Sequence, residues 1–252
     1  MNELEKIALE LAKGEMSKDE LAFKIAQIDS LVLPEDENFE SLHLMGLPIL
    51  NLDEDLLTLS TKISPYEKQR YCIVDLETSA SNIESGQIIE IGAVMIEDGE
   101  EVAKFDSLVH AKAIPEVIQN LTGITPSLVE NAPSVGSVLE QFRLFLGEAV
   151  FVAHNVKFDY GFLSDSMQKQ GFGPLLNRKL CTINLARKTI KAQKYGLDFL
   201  REFLNINEVG RHRALADAQS AMIIFKKALE NVPPVIKTTE DLINFTTSKL
   251  KL

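Results

Sequence analysis

The chain of 252 residues is long enough for one large domain, or for a medium domain together with a small one. A hydrophobic content of 45% supports a packed core and excludes disorder throughout, and no apolar run is long enough to span a bilayer. The formal charge of −11 argues against a nucleic-acid binder of the ordinary basic kind.

The negative charge is concentrated in the first 65 residues. They hold 14 acidic residues against 5 lysines, whereas residues 66–252 hold 23 acidic residues against 21 basic ones. The second part can therefore accept a short piece of nucleic acid, especially once bound cations offset its acids. The first part repels phosphates, so we expect residues 1–65 to bind protein and not DNA.

Residues 1–65 are predicted to form a small unit of helices followed by a hairpin. Residues 16–27 predict a short helix, with Ser17 and Glu20 spaced as a capping box. Residues 39–45 predict a second helix, and residues 49–59 alternate around an acidic turn as hairpin strands do. This order resembles a winged-helix module. A small helical packing extension is the alternative.

From Arg70 the pattern changes to that of an α/β domain over residues 66–230. Three strands joined by hairpins are followed by strands that alternate with helices, which predicts a mixed five-stranded sheet covered by helices. The strands are predicted at residues 71–75, 87–96, 105–109, 150–153 and 179–182. Helical spacing over residues 134–146 predicts a helix that Gly147 ends.

Residues 231–252 are interpreted as a C-terminal tail. Within it, residues 240–245 bear a faint likeness to short sliding-clamp-binding peptides; the alternative is a plain amphipathic helix that docks on the domain. The polar, acidic N-terminus is unlike a secretory signal. Free thiols are favoured over a disulfide for Cys72 and Cys181, and these features together predict a cytoplasmic protein.

Two carboxylates follow each other at the end of the first strand of this domain. Asp75 and Glu77, in Asp75-Leu-Glu-Thr78, are two residues apart, so their side chains share one face of the strand. The carboxyl edge of an α/β sheet is the usual place for a functional site. A single acid there is commonly a turn cap, but a pair indicates a site.

Two further motifs add two carboxylates and an imidazole. Asp159 closes His154-Asn-Val-Lys-Phe-Asp159 after the fourth strand, where an acid in the first turn of a helix is the ordinary alternative. In His212-Arg-Ala-Leu-Ala-Asp217, we expect Asp217 on a helix and His212 in a looser segment led by Gly210. Four acids that converge need cations between them, and a pair of divalent ions is the simplest explanation.

Together the three motifs resemble the DEDDh family of 3′–5′ exonucleases, which have a ribonuclease H-like fold. The resemblance covers roughly residues 70–230 and includes the run Ile88-Ile-Glu-Ile-Gly-Ala93 and the loop Leu121-Thr-Gly-Ile-Thr125. Within the family the likeness is closest to the epsilon, or proofreading, subunits of bacterial DNA polymerase III. One departure is the loop after Thr78, where the family often has Thr-Gly and this chain has Ser79-Ala-Ser-Asn.

The resemblance implies roles for the five motif residues. Asp75 would bridge two Mg²⁺ or Mn²⁺ ions, and Glu77 with Asp217 would hold the ion that carries the attacking water. Asp159 would support the second ion, and His212 would take the proton from the water. Independent chemistry agrees, since oxygen ligands suit Mg²⁺ and Mn²⁺ and histidine is a natural base near neutral pH.

Further residues are candidates for substrate contact by the same resemblance. The backbone at Glu77 and Thr78 would lie against the 3′-terminal nucleotide, and His212 is a further candidate for substrate contact. Asn155 with Phe158 would shape the pocket, although Phe158 also suits the core. Leu121 and Ile124 would wedge against the terminal base; the alternative is an ordinary turn that ends a helix. His154 is expected to be structural and not a metal ligand.

The resemblance implies a two-metal-dependent 3′–5′ exonuclease that releases nucleoside monophosphates from single-stranded DNA 3′ ends. Its expected partners are the DNA polymerase III catalytic subunit and, as a further candidate, the sliding clamp. A ribonuclease of the same family, either an oligoribonuclease or a ribonuclease T-like enzyme, is the first alternative, since the ions act on the phosphodiester and not on the sugar. An inactive scaffold is the second.

Overall fold

In its described residues, the first part of the chain forms a small unit of three α-helices and a three-stranded sheet. The structure, a computed structural model, describes residues 3–28, 39–207 and 212–248. The elements of the unit are α1 (Glu3–Lys13), β1 (Met16–Ser17), α2 (Lys18–Ala26), α3 (Glu40–Leu44), β2 (Ile49–Asn51) and β3 (Leu56–Leu59). We call residues 3–28 and 39–64 the N-terminal unit.

Sequence patterns predicted most of this unit. The Ser17 hydroxyl accepts a hydrogen bond from the backbone N–H of Glu20 at 3.1 Å and so caps α2. The second helix and the hairpin also form, while α1 and β1 were not predicted. All three strands are antiparallel in the order β1–β3–β2. This order is compatible with a winged-helix-like unit, and that interpretation stays a prediction.

A mixed five-stranded sheet forms the centre of the second part. Its strands are β4 (Tyr71–Thr78), β5 (Ile88–Glu97), β6 (Glu100–Leu108), β7 (Val150–Ala153) and β8 (Lys179–Cys181). Their order is β6–β5–β4–β7–β8, with β5 antiparallel to both of its neighbours and β4, β7 and β8 parallel. The predicted fold class is therefore confirmed.

Helices cover both faces of this sheet. They are α4 (Glu116–Thr122), α5 (Pro126–Val129), α6 (Val135–Leu146), α7 (Val156–Lys169), α8 (Thr182–Thr189), α9 (Leu197–Phe203), α10 (Ala214–Leu229) and α11 (Thr239–Thr247). Alternation along β4 divides the core, because Cys72 and Val74 pack with α6 and α7 while Tyr71 and Ile73 pack with α10 and α11. Among the described residues, no helix has the length and apolar character needed to cross a membrane.

The N-terminal unit lies at the amino edge of the parallel strands. Leu176, which precedes β8, joins the hydrophobic core of the unit, and its backbone N–H donates to the carbonyl of Met45 at 2.8 Å. His43 contacts Glu148, just before β7, at 2.6 Å. The carboxyl edge, where the predicted site lies, is at the opposite end of these strands.

The segment predicted to be a tail contains α11, which packs into the core beside α10. Leu242, Ile243 and Phe245 are buried there, so the docked amphipathic helix is confirmed. A clamp contact through this segment would require these side chains to leave the core. The predicted free thiols are also confirmed, since Cys72 and Cys181 are unpaired.

Glu240 of α11 joins three parts of the chain. Its carboxylate, 5% exposed, accepts hydrogen bonds at 2.6 and 2.8 Å from Arg178, which precedes β8. The hydroxyl of Thr61, from the N-terminal unit, donates to the same carboxylate at 2.9 Å. A buried charge with this set of partners is costly to disrupt, because removal of one partner leaves the other desolvated.

We therefore expect Glu240→Ala to lower the free energy of unfolding by about 3 to 5 kcal/mol, measured by urea denaturation. The matched control is Glu230→Ala, which removes an ion pair with Lys227 whose side chains are more than half exposed. That control should cost less than about 1 kcal/mol. Equal losses for the two variants would contradict the structural role of Glu240.

Candidate metal centre

Two of the predicted acids lie side by side on β4. Asp75 and Glu77 alternate with Leu76, so both carboxylates face the side of the sheet that α10 covers. Glu77 is paired across the strands with Glu90 of β5, and Asp75 with Gly92. The strand thus fixes one wall of the site, and β5 supplies the surface on which the next element packs.

The amino end of α10 rests directly on β5. A Cβ atom at Gly92 would lie 2.0 Å from the backbone nitrogen of Leu215, so only glycine permits this approach. The buried Glu90 carboxylate accepts hydrogen bonds at 2.9 Å from the backbone N–H of Ala214 and from Arg213 Nε. These contacts place the first turn of α10, which contains Asp217, above β4.

Three carboxylates converge as a result. One oxygen each from Asp75, Glu77 and Asp217 can be chosen so that all three lie within 4.8 Å of one another. Asp217 is 8% exposed, and the other two are half-buried. Three hard oxygen donors at this separation form a donor set that suits Mg²⁺ or Mn²⁺.

Asp159 is the fourth acid of the site. It lies in the first turn of α7, is 5% exposed, and is not one of the three acids whose oxygens lie within 4.8 Å of one another. Its charge nevertheless raises the pKa of Asp75 and of Glu77. The structure therefore brings all four predicted acids close enough to interact electrostatically, with Asp159 beside the other three.

Burial and mutual repulsion make the site reluctant to hold four negative charges. Burial, followed by the charges of Asp159 and Asp217, raises the pKa of Asp75 well above its ordinary range. Burial and the charge of Asp217 raise the pKa of Glu77 to about 8, and burial raises the pKa of Asp159 to about 7. A divalent cation would remove this penalty, since it stabilises the ionised form of every carboxylate around it.

Asp217 is held by two donors. Arg201 of α9 donates to Oδ1 at 2.7 Å, and the backbone N–H of His212 donates to Oδ2 at 3.2 Å. Burial raises the pKa of Asp217, and the Arg201 guanidinium opposes that rise. Both donors fix the carboxylate in orientation, with one of its oxygens within 4.8 Å of an oxygen of Asp75 and of Glu77.

His212 lies directly before α10, as predicted. Its backbone is in the left-handed region with φ 57°, its side chain is half-buried, and its charge would lower the pKa of Asp217. The imidazole is therefore near the acids of the site at which it is predicted to accept a proton. Gly210, expected to lead this segment, lies outside the described residues.

His154 has the structural role that was expected. Its Nε2 lies 2.9 Å from the carbonyl of Tyr195, which can only accept, so Nε2 carries the hydrogen and Nδ1 accepts from the Thr182 hydroxyl at 2.7 Å. Burial lowers the pKa of His154 to about 4, so the ring is neutral and both nitrogens are engaged.

The predicted substrate-contact residues have different surroundings. Leu121 is 51% exposed and Asn155 is exposed with φ 98°, so both are accessible. Phe158 is half-buried against the main core, and Ile124 has no exposed surface, which favours the ordinary helix-ending turn for that residue. Thr78 donates its hydroxyl hydrogen to the carbonyl of Ala80 at 2.8 Å and shapes the loop after β4.

Sequence reasoning missed the residues that hold the acids in place. Glu90 and Gly92 lie within the run of residues 88–93, which resembles the family, but nothing in that pattern indicated that α10 would pack on these residues. Arg201 gave no signal, because its contact with Asp217 spans 16 residues between two helices.

Comparisons with known proteins agree with this geometry. The family model RNase_T, described as exonuclease, matches residues 72–225. The chain is 38% identical over 178 residues to the PolC-type DNA polymerase III of Staphylococcus haemolyticus and 35% identical over 190 residues to that of Staphylococcus aureus. These matches cover 69% and 74% of this chain but only 12% and 13% of the polymerases, so the chain spans about an eighth of their length.

Solved structures show the same fold. Exonuclease X in complex with 5′ overhanging duplex DNA is 26% identical, with a TM-score of 0.55 over 70% of this chain and 99% of that one. Escherichia coli exonuclease I in complex with a dT13 oligonucleotide is 12% identical, with a TM-score of 0.60 over 66% of this chain and 42% of that one. The second likeness concerns the fold alone. With the family model matched over more than half of its length, the chain belongs to the RNase_T exonuclease family.

Proposed function

We propose that this protein is a 3′–5′ exonuclease that removes nucleoside monophosphates from single-stranded DNA ends with the help of two Mg²⁺ or Mn²⁺ ions. The observation that supports this most is the convergence of oxygens from Asp75, Glu77 and Asp217 within 4.8 Å of one another. Asp159, next to them, supplies a fourth carboxylate for a second ion. Bound ions would activate the phosphodiester and make the attacking water more acidic.

The residues of the chain would divide the remaining work. Asp75, Glu77, Asp159 and Asp217 hold the ions, and Arg201 and Glu90 keep Asp217 and α10 in position. His212, a half-buried residue directly before α10, would accept the proton of the attacking water, since imidazole is the common general base in such roles. Thr78, Leu121 and Asn155 would contact the terminal nucleotide.

The preference for DNA is part of the proposal, and it rests on the PolC-type relatives. A ribonuclease with the same acids is the alternative, because the ions act on a bond that DNA and RNA share. We also propose that the protein works beside a replicative polymerase, which co-purification with the PolC-type catalytic subunit would test.

The first prediction concerns the metal ligands. Asp75→Asn and Asp217→Asn should each lower kcat for a single-stranded 15-mer by at least about 10²-fold, since loss of an outer-shell partner alone can cost that much. Asp165→Asn, an exposed acid on α7, is the matched control and should retain full activity. Wild-type protein with no metal-dependent hydrolysis of any single strand would favour the inactive-scaffold alternative.

The second prediction concerns the sugar. Matched DNA and RNA 15-mers, incubated with the protein and Mg²⁺, should be shortened from the 3′ end with faster loss of the DNA. Product sizes on a denaturing gel give the polarity and the rate together. A strong preference for RNA would replace the proofreading proposal with the ribonuclease alternative.

The third prediction concerns pH and metal. The pKa values of Glu77 and Asp159, about 8 and about 7, exceed their ordinary values of 4.5 and 3.8. At a pH between the ordinary and the raised pKa of each group, the folded protein therefore binds more protons than the unfolded chain. In a chelator, Tm should therefore fall as pH rises from 5 to 8. Added Mg²⁺ or Mn²⁺ should raise Tm more at pH 8 than at pH 5, because the ions bind the deprotonated carboxylates.

The Asp75→Asn variant should lose much of the metal-induced rise in Tm, while Asp165→Asn should keep it. A Tm that is independent of divalent ions at pH 8 would contradict metal binding at this site. Differential scanning fluorimetry at constant ionic strength provides the measurement.

A further inference from the structure

The longest stretch of the chain without an acid lies beside the candidate site. Residues 166–197, which we call the basic segment, contain seven lysines and arginines and no aspartate or glutamate. The whole chain has 37 acidic residues against 26 basic ones, so this local excess runs against its composition. A positive surface in an acidic protein indicates a negatively charged partner.

Five cations of the basic segment are exposed, and three of them follow β8. Arg187 lies near the end of α8, and Lys191 and Lys194 lie in the connection between α8 and α9. In the part of the chain that the structure describes, no carboxylate lies within ion-pair distance of these three side chains. The guanidinium of Arg187 lies over the ring of Tyr195, 5.9 Å from its centroid. Other cations of the segment have partners of their own, as Arg178 has in Glu240.

Hydrogen bonds tie the basic segment to the site from two sides. His154, which begins the motif that ends at Asp159, contacts Thr182 at the start of α8 and the carbonyl of Tyr195 after Lys194. Beyond the segment, Arg201 of α9 contacts Asp217 at 2.7 Å. These contacts hold the start of α8 and the residue after Lys194 close to the carboxyl end of β7.

The two ends of the parallel strands thus have surroundings of opposite charge. The acidic N-terminal unit contacts the residues that precede β7 and β8, at the amino edge. The part of the basic segment with Arg187, Lys191 and Lys194 follows β8, on the side of the carboxyl edge where the acids of the site lie. Those acids repel a polyanion, so a strand that enters the site needs cations close by.

We propose that Arg187, Lys191 and Lys194 bind the phosphates of a single nucleic-acid strand on the 5′ side of the nucleotide being removed. This inference rests on the proposed exonuclease function and adds the path of the strand. Single-strand sites commonly use a positive track along the backbone, and such contacts release counterions. The three side chains act on the strand and not on the reacting phosphodiester.

The test compares a long substrate with one that has a single phosphodiester. For the triple variant Arg187→Ala, Lys191→Ala, Lys194→Ala, KM for dT15 at low salt should rise about 10-fold or more with kcat unchanged. The slope of log KM against log salt should shrink by about 2, as three lost phosphate contacts predict for a single strand. Hydrolysis of the p-nitrophenyl ester of thymidine 5′-monophosphate should not change, since that substrate does not reach the basic segment.

The matched control removes the same charge elsewhere. Lys68, Lys226 and Lys227 are exposed and lie before β4 and in the last turn of α10. Their joint replacement by alanine should leave KM for dT15 and its salt slope near the wild-type values. Equal KM and slope in the wild type and the basic-segment variant would overturn the inference and would leave this surface to an acidic protein partner.

A binding measurement distinguishes a failure of this inference from a failure of the proposed function. Fluorescence anisotropy of labelled dT15 with wild type and variant in a chelator reports strand contact without catalysis. Loss of affinity only in the basic-segment variant supports the strand path even where hydrolysis is absent. Unchanged affinity overturns it, while wild-type protein that hydrolyses neither substrate refutes the exonuclease proposal alone.

Discussion

The mutual repulsion of buried carboxylates is the constraint on which the rest of the structure depends. Asp75, Glu77, Asp159 and Asp217 share a space in which each raises the energy of its ionised neighbours. Without cations, burial and repulsion favour the protonated forms of Asp75 and Glu77, and burial favours that of Asp159, which lowers the repulsion but weakens these groups as ligands. The folded protein thus contains an unfavourable repulsion between carboxylates at this site, and metal binding would relieve it.

Keeping four such groups together requires unusually firm support. Gly92 lets the backbone of α10 touch β5, and Glu90 fixes the first turn of that helix through Ala214 and Arg213. Arg201 then orients the Asp217 carboxylate from another helix. Each support is a short contact with little freedom, so small changes in packing would move a ligand by enough to weaken an ion site.

The sequence predicted the site better than its supports. Asp75, Glu77, Asp159, His212 and Asp217 could be found because strand alternation, helix starts and motif order are local properties. Glu90, Gly92 and Arg201 act across long separations, and no local pattern indicates which helix will lie against which strand. For the same reason α11 was interpreted as part of a tail, since the apolar residues on it reveal a buried face but not the surface that buries it. α1 was missed although Leu4, Ile7 and Leu11 have helical spacing, because no capping signal drew attention to it.

The junction at Glu240 also has a consequence for the order in which the molecule folds. Thr61 and Glu240 are 179 residues apart, and the face of the sheet that contains Tyr71 and Ile73 is complete only when α11 has arrived. During synthesis the strands and α10 emerge first, while part of that apolar face still lacks its cover. Contacts of such high sequence separation form slowly, so α11, which leaves the ribosome after α10, completes this part of the core.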